Sequence, residues 1–314
     1  MEGCDFMIIT LTMNPAIDKS SSIDKVAPGK KLRCNPPRFE PGGGGINVSR
    51  AVHKIGGEAT AYFTSGGAMG QMMQELLEKE EVPCQPLPIR NQTRENFIVF
   101  EESTDHQFRF GMPGAELSEE EWKDIIEKIA TLDPAPDYVV ASGSLPPGTP
   151  NNFYGLLAEK LRKKDIRVIV DTSGEPLKKA ADAGVFMLKP NMRELKTLFG
   201  KDISGEEDQE EAACSLIKKE NCEVMVVSLG AAGVMMVTKE ECKRFRAPSV
   251  PIRSKVGAGD SMVAGIVLGL ERGWSVDKSV KFGVAAGSAA VMTPGTELCR
   301  KKDAEELFEK IKSD

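Results

Sequence analysis

Residues Ser254-Lys-Val-Gly-Ala-Gly-Asp-Ser-Met-Val-Ala-Gly265 join a glycine turn, one carboxylate and an apolar small-residue run that reads as a helix start. Gly257 and Gly259 carry no Cβ, so the backbone there can turn tightly and approach a ligand closely. The first turn of a helix leaves N–H groups unpaired, and with the helix dipole these make an anion site. Asp260 stands at the lip of that site. A carboxylate beside a bound anion suits proton removal from a group that accepts phosphate. The plainer use of Asp260 is as a cap residue after a turn.

Other chemistry-bearing residues are scattered along the chain. Pro41-Gly42-Gly43-Gly44-Gly45-Ile46-Asn47 spends much chain entropy and predicts a backbone held close to a ligand, with a flexible hinge as the alternative. Asp18 lies just beyond the first strand, where it could accept hydrogen bonds from sugar hydroxyls or hold a turn. Arg94 and Arg109 flank an expected hairpin, and arginine suits bidentate phosphate recognition. Asn191 and Glu194 share a helix face beside Lys189 and could order a hydrated magnesium, or simply cap the helix. There is no G-x-x-x-x-G-K-[ST] loop and no G-x-G-x-x-G fingerprint, which disfavours P-loop NTPases and standard dinucleotide dehydrogenases.

The elements that must position these residues follow from periodicity. Strand-like runs are expected at 6–13, 138–142, 167–171, 185–189, 224–229 and 233–238. Helical patterns are expected at 46–55, 70–80, 118–130, 151–163, 191–199, 207–220, 259–272, 276–292 and 303–312. Apolar strands alternating with helices predict an α/β fold with a mostly parallel sheet covered on both faces. Ligands then sit beyond the carboxyl ends of the strands, where Asp171, Lys189 and Ser228 fall. Segments 19–40 and 93–112 break the alternation and predict a small antiparallel sheet projecting from the domain, with a hairpin turning at 103–105. Such a sheet is marginal alone, so it is expected to cover the active site, pair with another subunit, or both.

Bulk properties narrow the classes further. The 314 residues fit one large domain, 1–314, with no convincing linker. A net charge of −6 argues against nucleic-acid binding, and no apolar run is long enough for a membrane span. Seven dispersed cysteines with no C-x-x-C pair read as reduced cytoplasmic thiols. Only two histidines are present, His53 and His106, neither in a persuasive triad setting, so proton transfer falls to carboxylates.

Taken in order, these segments resemble the ribokinase-like sugar kinases of the PfkB type. Gly42–Asn47 is similar to the family's N-terminal signature and Val256-Gly-Ala-Gly-Asp-Ser-Met262 to its C-terminal one. Thr12–Asp18, Ser142–Gly148, Lys189–Glu194 and Ser228–Gly230 fall in the family's order. The words Gly29–Cys34, Phe39–Val48, Arg109–Ala115 and Phe282–Ala290 are similar to those of its ATP-dependent 6-phosphofructokinase branch. The relatives acting on fructose 1-phosphate or tagatose 6-phosphate typically carry lysine at the position of Gly44. The resemblance implies a ribokinase-like three-layer sandwich with a β-sheet lid. It implies phosphorylation of the 1-hydroxyl of fructose 6-phosphate, the alternatives being the other two sugar phosphates or a non-catalytic phosphosugar-binding regulator.

By that resemblance Asp260 is the general base, and Gly257, Ala258 and Gly259 form the anion hole. A helix N-terminus would keep Asp260 ionised at some cost in basicity. Asp18, Gly43 and Asn47 match sugar-hydroxyl contacts, Arg94 and Ser144 the 6-phosphate contacts, and Lys31 a residue reaching ligand across a homodimer of paired lids. Lys189, Asn191 and Glu194 match nucleotide and Mg2+ ligands. Ser228, Leu229, Gly230 and Gly233, with Val284 and Ser288, match the walls of the ATP adenine and ribose pocket. Loop oxygens of Ser254, Val256, Ala290, Thr293 and Gly295 match a K+ site.

Overall fold

The structure, a computed structural model, describes residues 7–219 and 221–311. Phe6, Glu220 and Lys312, expected at element ends, and Cys4 lie outside the described residues. The N-terminal part runs β1 (Ile8–Thr12), β2 (Ala16–Ile23), β3 (Arg38–Gly42), α1 (Gly44–Lys54), β4 (Thr60–Ser65), α2 (Gly67–Lys79), β5 (Cys84–Pro88), β6 (Arg94–Glu101) and β7 (His106–Phe110). The middle contributes α3 (Glu119–Ala130), β8 (Tyr138–Ser142), α4 (Phe153–Arg162), β9 (Arg167–Asp171), α5 (Gly174–Ala183) and β10 (Val185–Leu188). The C-terminal part adds α6 (Met192–Phe199), α7 (Glu206–Lys218), β11 (Cys222–Ser228), β12 (Val234–Val237), β13 (Cys242–Phe245), α8 (Ala258–Glu271), α9 (Val276–Val291) and α10 (Lys301–Lys310).

Nine strands form the central sheet in the order β13-β12-β11-β10-β9-β8-β1-β4-β5. Pairing is parallel except at the β11–β12–β13 end. Residue alternation decides which helices cover which face. Ile9 and Leu11 of β1, with Val139 and Ala141 of β8, pack under α3 to α7. Ile8, Tyr138 and Val140 face the opposite layer, formed by α1 and α8 to α10. α1 and α8 therefore lie in one layer, side by side. From β1 the chain order runs outward in both directions, to β4 on one side and β8 on the other, so a switch-point crevice opens at Thr12 and Ser142.

The second sheet has the order β3-β2-β6-β7. It is mixed, not antiparallel as expected. β2 and β6 run parallel from Ala16↔Arg94 to Ile23↔Glu101, while β2–β3 and β6–β7 are antiparallel. The reason is topological: β2 and β6 follow β1 and β5, parallel strands of the main sheet, so both leave its carboxyl edge in the same sense. The hairpin at 103–105 is present, with Asp105 in the left-handed region. Ile17, Ile23, Ile98 and Val99 are buried, whereas Phe100, Phe110 and Met112 are exposed.

Four elements were not anticipated from the sequence. β4, β5 and β13 are at or next to sheet edges, where apolar alternation weakens, and Pro86 and Pro88 in β5 are tolerated only because that strand is an edge. α5 begins Gly174-Glu-Pro, a weak helical start, but proline in the first turn removes no intrahelical bond. No helix among the described residues is long and apolar enough to cross a membrane.

Candidate active site

The turn before α8 is built around Gly257, whose φ of 74° is left-handed. The first helical hydrogen bond runs from the Ser261 N–H to the Gly257 carbonyl, 2.8 Å, leaving the N–H groups of Ala258, Gly259 and Asp260 without intrahelical acceptors. α8 itself is buried almost all round, and its glycines let α9 approach within contact distance. A Cβ on Gly265 would lie 2.9 Å from Gly283 Cα. A helix locked this way holds its N-terminal turn rigidly. Gly257→Ala would impose left-handed strain of about 1–2 kcal/mol on that turn. Its kcat is expected to fall about 10²-fold with the fold retained, the typical effect of displacing an anion-hole donor. Steady-state rates together with a melting curve check this, and an unchanged kcat would remove the turn from the chemistry.

Asp260 is half-buried in the first turn of α8, and its Oδ2 accepts a hydrogen bond from Asn47 Nδ2 of α1, 2.9 Å. Burial of the carboxylate and the nearby Asp171 charge raise its pKa to about 7, against smaller opposing effects of Asn47, Lys189 and Arg50. This overturns the expectation that the helix N-terminus keeps it ionised. Desolvation and a like charge outweigh the dipole. An ionised Asp260 is consequently a stronger base than a surface aspartate.

Lys189, only 7% exposed, forms an ion pair with Asp171 Oδ1 at 3.2 Å. Burial works against its charge, but Asp171, Asp260 and Glu194 more than compensate and raise its pKa. A Cβ placed on Gly259 would lie 3.5 Å from Lys189 Nζ, so this ammonium sits beside the open N–H groups of the turn. Asn191 and Glu194 form a reciprocal capping box on α6. Asn191 Oδ1 accepts from the Glu194 N–H at 3.0 Å, and Glu194 Oε2 accepts from the Asn191 N–H at 2.8 Å. Burial foremost, with Asp171, raises the Glu194 pKa. No cluster of three or more His, Cys, Asp or Glu side chains among the described residues could hold a metal alone. That donor set fits magnesium, which binds through one or two carboxylates plus phosphates and water.

The glycine run approaches the protein itself. Cβ atoms on Gly42, Gly43, Gly44 and Gly45 would lie 2.6 Å from Asp18 Oδ2, 2.6 Å from Thr12 Cγ2, 2.3 Å from Ser142 Oγ and 2.6 Å from Thr12 Oγ1. The run thus lets α1 enter the crevice between β1 and β8, and Thr12 Oγ1 accepts the Ile46 N–H at 2.8 Å. Beyond it, Asp18 accepts from Asn96 Nδ2 at 2.8 Å. Burial raises the Asp18 pKa against the opposing pull of Asn96, Arg109 and Arg94. Arg94 donates to the carbonyls of Met112 (2.9 Å) and Asn14 (3.2 Å), while its Nε is buried without a partner. Asn14 Nδ2 donates to Ser144 Oγ at 3.0 Å. Arg94 and Ser144 are therefore brought together around Asn14, with Asp18 close enough to feel the Arg94 charge. Lys31 is exposed in the β2–β3 connection, and no hydrogen bond or ion pair among the described residues ties it to this cluster.

On the far side, Ser228 closes β11, and Leu229 leads into a 3₁₀ turn, Gly230–Ala232, closed by a Leu229 N–H to Gly233 carbonyl bond of 2.8 Å. Val284 and Ser288 share a face of α9, but Val284 is fully packed in the core and Ser288 nearly so. The loops carrying Ser254, Val256, Ala290, Thr293 and Gly295 are tied together. Ser254 Oγ donates to the Gly295 carbonyl (2.9 Å) and accepts the Val256 N–H (3.1 Å), and Thr293 Oγ1 donates to the Ala290 carbonyl (2.8 Å). Thr296 Oγ1 of the same loop donates to Glu40 Oε1 of β3, 2.5 Å, joining it to the small sheet.

Asp171, placed at a strand's carboxyl end by the sequence but given no role, joins the site, and so do three residues the sequence did not single out, Arg50, Asn96 and Asn14. That place was the signal for Asp171. Arg50 had none, because its ion-pair partner, Glu80, lies 30 positions along the chain.

Residues 5–303 match the family model for pfkB family carbohydrate kinases. The chain is 45% identical over 302 residues to the ATP-dependent 6-phosphofructokinase isozyme 2 of Mycobacterium tuberculosis, covering 96% of this chain and 89% of that one. It superimposes on phosphofructokinase-2 from Escherichia coli in complex with potassium with a TM-score of 0.93 at 40% identity, covering 97% and 99% of the two chains. The complex of that enzyme with fructose-6-phosphate gives a TM-score of 0.90 at 39% identity over the same shares. With its nine-stranded, mostly parallel sheet, its separate four-stranded sheet and its Gly-Ala-Gly-Asp turn, the chain belongs to the pfkB family of carbohydrate kinases.

Proposed function

We propose that this chain is an ATP-dependent 6-phosphofructokinase that transfers the γ-phosphoryl group of ATP to the 1-hydroxyl of fructose 6-phosphate. The observation that carries the reading is the pairing of Asp260, half-buried and held by Asn47, with the open backbone N–H groups of its turn and the Lys189 ammonium beside them. Asp260 takes the proton from the 1-hydroxyl as the bond from that oxygen to the γ-phosphorus forms and the bond to the ADP oxygen breaks. The N–H groups of Ala258 and Gly259 and the left-handed Gly257 turn stabilise the transferring group. Positioning and charge stabilisation supply most of the rate in such transfers. Lys189, Asn191 and Glu194 hold the nucleotide end, with Ser228, Leu229, Gly230, Gly233 and Ser288 around the base and ribose. Glu194 would help to hold a magnesium ion on the phosphates, which would supply neutralisation of phosphate charge. Carbonyls of the 254–256 and 290–295 loops suit a potassium ion.

Asp18, Gly43 and Asn47 serve the sugar hydroxyls, and Arg94 with Ser144 serves the 6-phosphate. Arg94 has a buried Nε still without an acceptor, as a site built for an anion requires. Gly44 is required by its packing on Ser142, so it does not by itself choose between sugar phosphates. The whole chain forms a single kinase domain with the small sheet as its lid, and two lids pair in a homodimer through Phe100, Phe110 and Met112. Free cysteines at six described positions suit the cytoplasm.

Initial rates of ADP release on fructose 6-phosphate, tagatose 6-phosphate and fructose 1-phosphate test the assignment. Turnover best on fructose 6-phosphate upholds it, and preference for another of the three replaces the substrate. In the dimer Lys31 reaches the partner's sugar phosphate. Lys31→Ala is accordingly expected to raise the KM for the sugar phosphate about tenfold, as for loss of one charged contact, with the KM for ATP little changed. Unchanged sugar saturation would take Lys31 out of the site.

A further inference from the structure

Arg50 is a buried arginine in the middle of α1, 3% exposed, that the proposed chemistry does not use. Its guanidinium meets Glu80, just past the end of α2, through two parallel bonds. Nε donates to Oε2 and Nη2 to Oε1, both at 2.7 Å. The third nitrogen, Nη1, donates to the Pro41 carbonyl at 3.2 Å and to Asn47 Oδ1 at 3.3 Å. Asn47 in turn donates through Nδ2 to Asp260 Oδ2 at 2.9 Å. The line Glu80–Arg50–Asn47–Asp260 crosses from α2 through α1 to α8.

The directions of these bonds carry the inference. A primary amide donates only from nitrogen and accepts only at oxygen. A permanently charged guanidinium, which can only donate, holds the Asn47 oxygen on its own side and turns the nitrogen toward Asp260. Glu80 occupies the other edge of the fork, so Arg50 is held in one orientation, with four of its five N–H donors used. We infer that Arg50, fixed by Glu80, is a positioning residue for catalysis: it orients the Asn47 amide so that Asp260 keeps one oxygen bound and presents the other to the substrate hydroxyl. The inference rests on the reading of Asp260 as the base. A buried ion pair with a purely structural role would account for the Glu80 bonds, but not for an Asn47 amide that passes the line on to Asp260.

Arg50→Gln, Glu80→Gln, the double variant and Asp260→Asn, compared with wild type over a range of pH, form the test. The groups facing Asp260 are Asp171 and Lys189 from the sheet side and Asn47 and Arg50 from α1. In Arg50→Gln the loss of a nearby positive charge and of a fixed amide is expected to move the acid limb of kcat to higher pH. The rate should fall about 10- to 100-fold, a typical result of misplacing a reacting group, while both KM values stay within about twofold. Glu80→Gln should lower kcat in the same way, and the double variant should be no worse than Arg50→Gln, since the three side chains act as one unit. An unshifted limb with a rate loss matching the unfolded fraction, or additive losses, overturns the inference. If Arg50→Gln does not fold, Glu80→Gln decides, because Glu80 is the exposed end of the pair at 30%. A fall in kcat at constant KM supports the inference, and wild-type kinetics overturn it. Wild-type turnover by Asp260→Asn would remove the base itself, and with it the inference. An inactive Asp260→Asn beside a wild-type profile for Arg50→Gln would overturn the inference alone.

Discussion

Asp260→Asn is expected to lower kcat about 10²–10⁴-fold, the range for loss of a general base. It should also leave the protein more stable above neutral pH than the wild type. The second effect follows from the raised pKa of Asp260, about 7 in the fold against an ordinary value of 3.8. Between those values the native chain holds a proton that the unfolded chain has released, so the wild type loses stability as pH rises through this window. The loss is complete above about pH 7 and absent below about pH 4. Asparagine keeps the shape and cannot ionise, so the gain in Tm should be present at pH 8 and vanish near pH 4. Melting curves of the two proteins at both pH values, with initial rates, check both halves. An equal Tm difference at the two pH values would mean that Asp260 is not the titrating group. For the wild type, kcat should rise with pH through about 7 as the carboxylate ionises.

Arg94→Ala is expected to raise the KM for fructose 6-phosphate by about 10- to 100-fold, with the KM for ATP and the melting temperature nearly unchanged. Hydrogen bonds to a charged group are worth about 1.5–3 kcal/mol, and each 1.4 kcal/mol is tenfold in affinity. Arg94 lies at the start of β6, where burial lowers its pKa and Asp18 partly restores it. Its two backbone acceptors, Met112 and Asn14, hold the guanidinium in place without neutralising it. A fixed cation with only a partial counter-charge, from Asp18, suits a phosphate dianion. Arg94→Lys should recover only part of the loss, since an ammonium cannot reproduce the fork. Sugar saturation curves at fixed ATP are the measurement, and an unchanged KM for the sugar phosphate would move the phosphate site elsewhere.

Much of this protein was legible in its order of residues. The apolar strands β8 to β11 and their helices, α5 excepted, could be read because a strand buried on both faces and an amphipathic helix leave different periods in the sequence. Asp260 could be singled out because the turn before α8 requires small residues locally, and local requirements are written locally. The missed strands β4, β5 and β13 were hidden because edge strands need less apolar patterning.

Tertiary structure alone decided the rest. The direction of β2 against β6 depends on which main-sheet strands precede them, and no residue in either strand encodes it. The glycine run could be read as a close approach, but not that its close protein neighbours are Asp18, Thr12 and Ser142, brought there by the switch point between β1 and β8. The ionisation of Asp260 was misjudged for the same reason. The helix dipole is a local property, whereas burial and the charge of Asp171, 89 positions earlier, exist only in the assembled fold. The line from Glu80 through Arg50 and Asn47 to Asp260 joins three helices whose proximity comes from layer packing. Sequence fixes which side chains are available and what each local turn can adopt; burial, charge neighbours and hydrogen-bond direction arise when distant segments share one low-dielectric interior.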